Sequence, residues 1–214
     1  MSSNLSAAFV ADSRGLDFLN SITNSAEGAV DWLQDGAGLI DWLRQAGLVP
    51  EAMLAEITST VIPGELDRMA EQARNLREWF RAFTLSRMGS PLDADSLGEL
   101  APLNHLLERD KTYWRIVAEG ADHLALEVAR RWQAPESLLV PIAEILARVV
   151  VEENFASVRM CDGPSCTLLF ADHTRGGVRR WCSMSSCGNR AKVSAHRHRR
   201  RGDSPQSVDR ERQI

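Results

Sequence analysis

Through the first hundred positions, apolar residues recur at intervals of three and four, the spacing that gathers side chains onto one face of an α-helix. Leu39, Ile40, Trp42 and Leu43 mark such a stripe over 36–46, and Gly47 behind it is a helix stop. Pro50 opens another short helix, because proline's missing N–H costs little in a first turn. The longest predicted helix covers 65–86, where Leu66, Met69, Ala73, Leu76, Phe80 and Phe83 fall in steps of three and four. Arg74, Arg77 and Arg81 lie off that stripe, and Gly89-Ser90-Pro91 ends it. A shorter helix is expected at 97–107.

The period then changes. Segments 112–118 and 124–129 flank Glu119-Gly120-Ala121-Asp122, and Leu124, Leu126 and Val128 alternate with Ala125, Glu127 and Ala129, which predicts a β-hairpin. Helical spacing returns over 137–152 through Leu138, Ile142, Ile145, Leu146, Val149 and Val150, with Pro141 tolerated near the helix start. No solenoid-length repeat is present, and the echo of Asp31-Trp32-Leu33 in Asp41-Trp42-Leu43 reads as helical packing. The expected body is mainly α with one small β element, ending near Ser157.

Composition changes this picture little, but charge changes it a good deal. The chain has 214 residues, 44% hydrophobic and 25% charged, ordinary values for a folded protein. No apolar run is long enough to span a membrane, so no membrane association is expected. The opening residues lack a positive start and a long apolar stretch, so no secretory signal is read and a cytoplasmic location with reduced thiols is expected. The formal net charge of −4 averages two opposed regions. Residues 1–172 carry 14 Lys and Arg against 26 Asp and Glu, a net of −12, whereas 173–202 carry nine Lys and Arg and no acid, a net of +9. An acidic body therefore precedes a basic working end.

All four cysteines stand at the junction, as Cys161-x4-Cys166-x15-Cys182-x4-Cys187. Two close pairs separated by a loop of this size suit one tetrahedral zinc ion, with each pair delivered by a tight turn. Gly163-Pro164 supplies turn chemistry in the first pair. Between the pairs, 168–171 and 178–181 are expected to form two short strands joined at 172–177, with Phe170 and Trp181 beside the metal. So small a hairpin cannot stand alone, and the ion replaces its missing core. Two disulfides would need an oxidising compartment, and a thiol switch that ejects zinc is compatible with a zinc site. A catalytic zinc is disfavoured because four thiolates close the coordination shell.

A helix is expected to begin near Cys187, with Arg190, Ser194, Arg197 and Arg201 on one face and Lys192 and Arg199 on its flanks. Arg179 and Arg180 add positive charge nearby. Such a patch binds phosphates by releasing counterions, and arginine also reads guanine edges. The alternative is a solvated basic tail that neutralises the protein's own acidic body. His196 and His198 read as helix-surface residues, since the cysteines already fill the site. Residues 203–214 are polar and expected to be disordered.

Arg180-Trp181-Cys182-Ser183-Met184, followed by Cys187-Gly188-Asn189-Arg190-Ala191-Lys192, resembles the CGNR zinc-finger proteins, a bacterial family named for that tetrapeptide. Cys161 and Cys166 extend the match upstream. Gly15-Leu16-Asp17-Phe18-Leu19-Asn20 and Asp41-Trp42-Leu43 resemble the entry motifs of that family's N-terminal helical ABATE domain, with Ser21 standing where threonine is expected. The resemblance implies a stress-responsive transcription regulator with a helical sensor domain and a DNA-binding finger. It implies that Cys161, Cys166, Cys182 and Cys187 hold one structural zinc. It also implies that Arg190 with the basic residues after it, Lys192, Arg197, Arg199, Arg200 and Arg201, is the DNA face, to which Asn189, Arg179 and Arg180 are added here as candidate nucleic-acid contacts.

For an effector, Arg14, Asp17 and Asn20 offer a polar pocket, against a plainer reading as caps and surface ion pairs. Trp32, Trp42, Trp79, Trp114 and Trp132 offer an apolar cavity, against core packing. No nucleophile elbow, Walker loop, dinucleotide fingerprint or histidine metal motif is present, so enzyme activity is not expected. The expected architecture is a helical sensor domain at 1–157 and a zinc-ribbon or treble-clef-like module with a basic helix at 158–202. The expected partners are DNA, with a small-molecule effector and a second copy of the chain as further possibilities. A protein-interaction adaptor and an RNA binder are the rival readings.

Overall fold

The apolar stripes converge on a shared core. In the computed structural model, which describes residues 7, 9–25 and 28–201, α1 (Arg14–Leu19) lies against both α4 (Glu65–Arg87) and α6 (Leu139–Glu152). α2 (Gly36–Ala46) packs on α4 and α3 (Glu51–Thr60) on α2, while α5 (Ala101–Leu107) packs on α6 after a 3-10 turn at Ala94–Leu100. Leu16, Phe18, Trp42, Leu54, Phe80, Ile142 and Leu146 are buried where these faces meet. α2 starts and stops as predicted: the Asp35 carboxylate accepts from the Gly38 amide at 2.8 Å, and Gly47 closes the helix in the left-handed conformation. α1 approaches α6 so closely that a Cβ on Gly15 would sit 2.5 Å from the Ile145 carbonyl oxygen, which only glycine allows.

The arginines that lie off the α4 stripe turn inward to clasp the loops beside it. Arg74 donates to the Leu33 carbonyl at 2.5 Å and the Gln34 carbonyl at 2.9 Å. Arg77, fully buried, donates twice to Asp31 at 2.7 and 2.8 Å, once to Ser21 Oγ at 3.0 Å, and to Glu78 at 2.9 Å. Burial alone would raise the Asp31 carboxyl pKa, but the Arg77 contact and the Leu33 amide outweigh it and hold the carboxyl below its ordinary value.

The β structure departs from expectation in two places. The predicted hairpin forms from β3 (Thr112–Ala118) and β4 (Leu124–Arg130), antiparallel with Ile116 opposite Leu126. The body holds a second hairpin, β1 (Ile22–Ser25) and β2 (Gly28–Asp31), so the expectation of one β element is corrected. Its strands read Ile-Thr-Asn-Ser and Gly-Ala-Val-Asp, too short and too polar to show alternation. The expected pairing of 168–171 with 178–181 does not form. β6 (Leu169–Ala171) pairs instead with β5 (Val158–Met160), because 178–181 is tied down by other contacts. The Asp172 carboxylate accepts from the Arg179 amide at 3.0 Å, and the Arg180 carbonyl accepts from the Asp162 amide at 2.9 Å. Beyond β6, a one-turn π-helix (Met184–Gly188) leads into α7 (Asn189–Arg201). Among the described residues, no helix is long and apolar enough to cross a membrane. The expected disordered tail at 203–214 lies outside the described residues.

Arg77→Met strips Asp31 of its partner and is expected to cost about 3 kcal/mol in urea unfolding. The native carboxylate, held below its unfolded value, stabilises the fold above the unfolded pKa. That contribution is lost as pH falls through the native one, so wild type is expected to lose stability steeply below pH ~4 and Arg77→Met to lose less there.

Candidate metal centre and basic helix

The four cysteine sulfurs lie within 4.8 Å of one another. Cys166 Sγ is 3.9 Å from Cys182 Sγ, which is 3.7 Å from Cys187 Sγ. Thiolates held about 2.3 Å from a tetrahedral zinc stand about 3.8 Å apart, so the donor set has the size and chemistry that zinc requires. Cys161, Cys182 and Cys187 are buried and Cys166 partly so. Crowding divides the thiols unevenly. The contact from Cys182 draws Cys166 down to about 5, while that same contact and burial push Cys182 up, and burial raises Cys161. Four thiolates in so small a volume need a divalent cation between them.

Backbone and side-chain donors converge on the sulfurs from outside. The Gly163 amide points at Cys161 Sγ from 3.4 Å, the Cys182 amide at the same sulfur from 3.2 Å, and Arg190 Nη2 at Cys187 Sγ from 3.0 Å. Such donors orient ligands and offset thiolate charge. Gly163 is needed where it stands, since a Cβ there would lie 2.8 Å from Cys187 Sγ. Ser183 caps the π-turn, its hydroxyl accepting from the Ser185 amide at 3.2 Å, and the Gly188 amide closes that turn on the Ser183 carbonyl at 3.0 Å. Cys187 therefore sits in the turn from which α7 springs.

Three side chains fasten this module to the helical body, and the sequence had suggested other roles for two of them. Asn20, fully buried, uses its amide as a strand would: Nδ2 donates to the Leu169 carbonyl at 2.8 Å and Oδ1 accepts from the Leu169 amide at 2.8 Å. Arg179 has a largely buried side chain lying 4.4 Å over the Phe170 ring. It donates to Asp12 at 2.6 Å, to the Val10 carbonyl at 2.8 Å and to the Cys182 carbonyl at 2.6 Å. Arg81 reaches from α4 to the carbonyls of Leu19 and Thr167. The predicted placement of Arg179 on an open basic face is thus corrected: its guanidinium is committed to internal contacts.

Arg14, Asp17 and Asn20 are each engaged in separate contacts. Arg14 is exposed, 4.8 Å from the Phe9 ring. Asp17 is buried, which pushes its carboxyl pKa up although the Val10 and Ala11 amides donate to it at 2.8 and 2.9 Å. The plainer reading of caps and surface ion pairs does not describe them either: Asp17 holds the loop amides of Val10 and Ala11, and Asn20 reaches Leu169 far along the chain. The tryptophans also scatter: Trp42 is in the core and Trp114 is 66% exposed on the hairpin. A surface cavity of about 340 Å³ opens elsewhere, between Asp110, Lys111, Arg130, Arg131 and Glu136. None of the predicted effector residues lines it.

α7 presents the remaining basic residues. Asn189, Arg190, Lys192 and Arg197 are exposed, and Asn189, Arg190, Val193, Ser194 and Arg197 border one open groove together with Ser185 and Ser186 of the π-turn. The backbone of α7 runs through Arg199, Arg200 and Arg201, whose side chains lie outside what is described. Arg180 is exposed beside Trp181 and pairs with Asp162 at 2.8 Å. Sequence reasoning passed over Asp172, which organises the turn by accepting from the Thr174 amide and hydroxyl at 2.9 and 2.5 Å. Its signal is the local Asp-His-Thr spacing of an Asx turn.

Residues 12–153 match the ABATE family model, described as "Putative stress-induced transcription regulator". Residues 157–200 match the model described as CGNR zinc finger, which contains the four-cysteine cluster. The cluster is therefore the site of one structural zinc ion. No curated protein matches the chain.

Asn20→Ala leaves the buried Leu169 amide and carbonyl without partners, so a loss of about 2–4 kcal/mol is expected in chemical unfolding. If Asn20 served a ligand pocket instead, the unfolding midpoint would stay near that of wild type.

Proposed function

We propose, because the chain belongs to the ABATE family and ends in a CGNR zinc finger, that it is a zinc-dependent DNA-binding transcription regulator in which α7 meets the duplex. The observation that supports this reading most strongly is the state of the basic side chains on α7. Among the described residues, Lys192 and Arg197 make no ion pair with the acidic body, although that body carries a net −12 across residues 1–172. A tail that served only to neutralise its own protein would lay these charges on carboxylates. Here they stand free in solvent, on a helix whose first turn contacts a metal ligand through Arg190. Bound zinc holds Cys187 in place, and Cys187 with the π-turn aims α7. The phosphates of a duplex supply the counter-charge that the body does not.

Arg190 has a double part in this reading. Its guanidinium donates to Cys187 Sγ yet borders the open groove, so it ties the metal shell to the nucleic-acid face. No Phe, Tyr or Trp interleaves the basic residues of α7, which removes the stacking platform that single strands require and favours a duplex.

Fluorescence anisotropy with duplex DNA at several salt concentrations tests the reading. With about five phosphates neutralised, the logarithm of affinity is expected to fall with that of salt at a slope of about −4 to −5. Lys192→Ala and Arg197→Ala are each expected to make the slope shallower by about one, without loss of metal. Absence of binding even at low salt would overturn the proposal and leave an acidic protein partner as the ligand of α7.

A further inference from the structure

The β3–β4 hairpin stands out from the body with an apolar face that none of the described residues covers. Side chains alternate across a strand, so three cross-strand pairs share one face: Trp114 with Val128, Ile116 with Leu126, and Ala118 with Leu124. All six residues are apolar, and the five large ones are 54 to 71% exposed. Scattered exposed apolar residues are ordinary in folded proteins, but a contiguous face built from consecutive pairs marks an interaction surface. The opposite face is treated differently: Arg115 pairs across the strands with Glu127 at 2.5 Å, and Arg131 lies 4.5 Å over the Tyr113 ring.

The hairpin also lacks support of its own. A two-stranded ribbon is marginally stable in water without a packed face. This one is fastened at its base, where Arg130 donates to Asp110 at 2.6 Å and to Glu144 at 3.0 Å. The seven-residue strands extend away from that anchor with both edges unpaired among the described residues.

We infer that the hairpin is a dimerisation element, its apolar face covered by the same face of a second copy of this chain. Area supports a second copy as the occupant. The five large side chains offer on the order of 600–700 Å² per copy, so mutual cover would bury roughly 1,200–1,400 Å², within reach of the about 1,200–2,000 Å² typical of specific interfaces. Charge does not oppose it: Arg130, next along the same face, is already paired at the base with Asp110 and Glu144, and the six apolar residues bring no charge into a contact between two copies. The inference does not rest on DNA binding, and its test makes no use of DNA.

Sedimentation equilibrium over a concentration series is the test. Wild type is expected to reach twice the chain mass of 23.8 kDa at tens of micromolar, and Ile116→Lys with Leu126→Lys to remain at the chain mass with an unchanged far-ultraviolet spectrum. Should that double variant fail to fold, hydrogen exchange of wild type reads the same surface. Amides within Thr112–Arg130 are expected to exchange more slowly as concentration rises through the dimer transition. A wild-type monomer at all concentrations, a dimer that survives both substitutions, or hairpin exchange that ignores concentration would each overturn the inference.

Discussion

Four sulfur atoms drawn within 4.8 Å of one another dictate the zinc-finger module at residues 157–200. Like-charged thiolates repel at that distance, and a zinc ion turns the repulsion into four bonds whose geometry the chain must satisfy. The first knuckle must turn at Gly163, where no side chain fits. The second must deliver Cys187 from a π-turn, and that turn decides where α7 begins and which way it points. A segment of +9 net charge at 173–202 has little apolar material with which to position itself. The metal supplies the positioning.

The finger is not a bead on a string. Its strand β6 is buried on all three residues and receives the Asn20 amide along its edge, while Phe170, Cys182 and Cys187 belong to the same continuous core as Leu16, Phe80 and Ile142. Arg179 and Arg81 add polar fastenings from the opposite sides. α1 is thereby tied to β6 through two hydrogen bonds and to Arg179 through the segment that Asp17 holds.

Local signals in the chain were legible and partner choices were not. The helices α2, α4 and α6 announced themselves through spacing, with α2 stopped at Gly47, and the β3–β4 hairpin through its alternation of Leu124, Leu126 and Val128. The cysteine spacing announced the metal cluster. β6 was readable as a strand, but its partner β5 was not, because pairing is settled by distant residues: Asn20 holds one edge while Asp172 and Arg180 divert 178–181. Asn20 looked functional as a polar residue in a suggestive motif and Arg179 as a positive charge near the basic helix, and only three-dimensional placement reveals them as fastenings. The exposed side of the hairpin was hidden for a related reason. Alternation reports that one face is apolar and cannot say whether the chain itself covers it.

Everything proposed for α7 depends on a metal ion at the sulfur cluster, and elemental analysis of the purified, unreduced protein addresses that most directly. One zinc per chain, with four thiols that become titratable only after a chelator removes it, is the predicted result. A preparation without stoichiometric transition metal, or one in which the sulfurs are joined as disulfides, would contradict it.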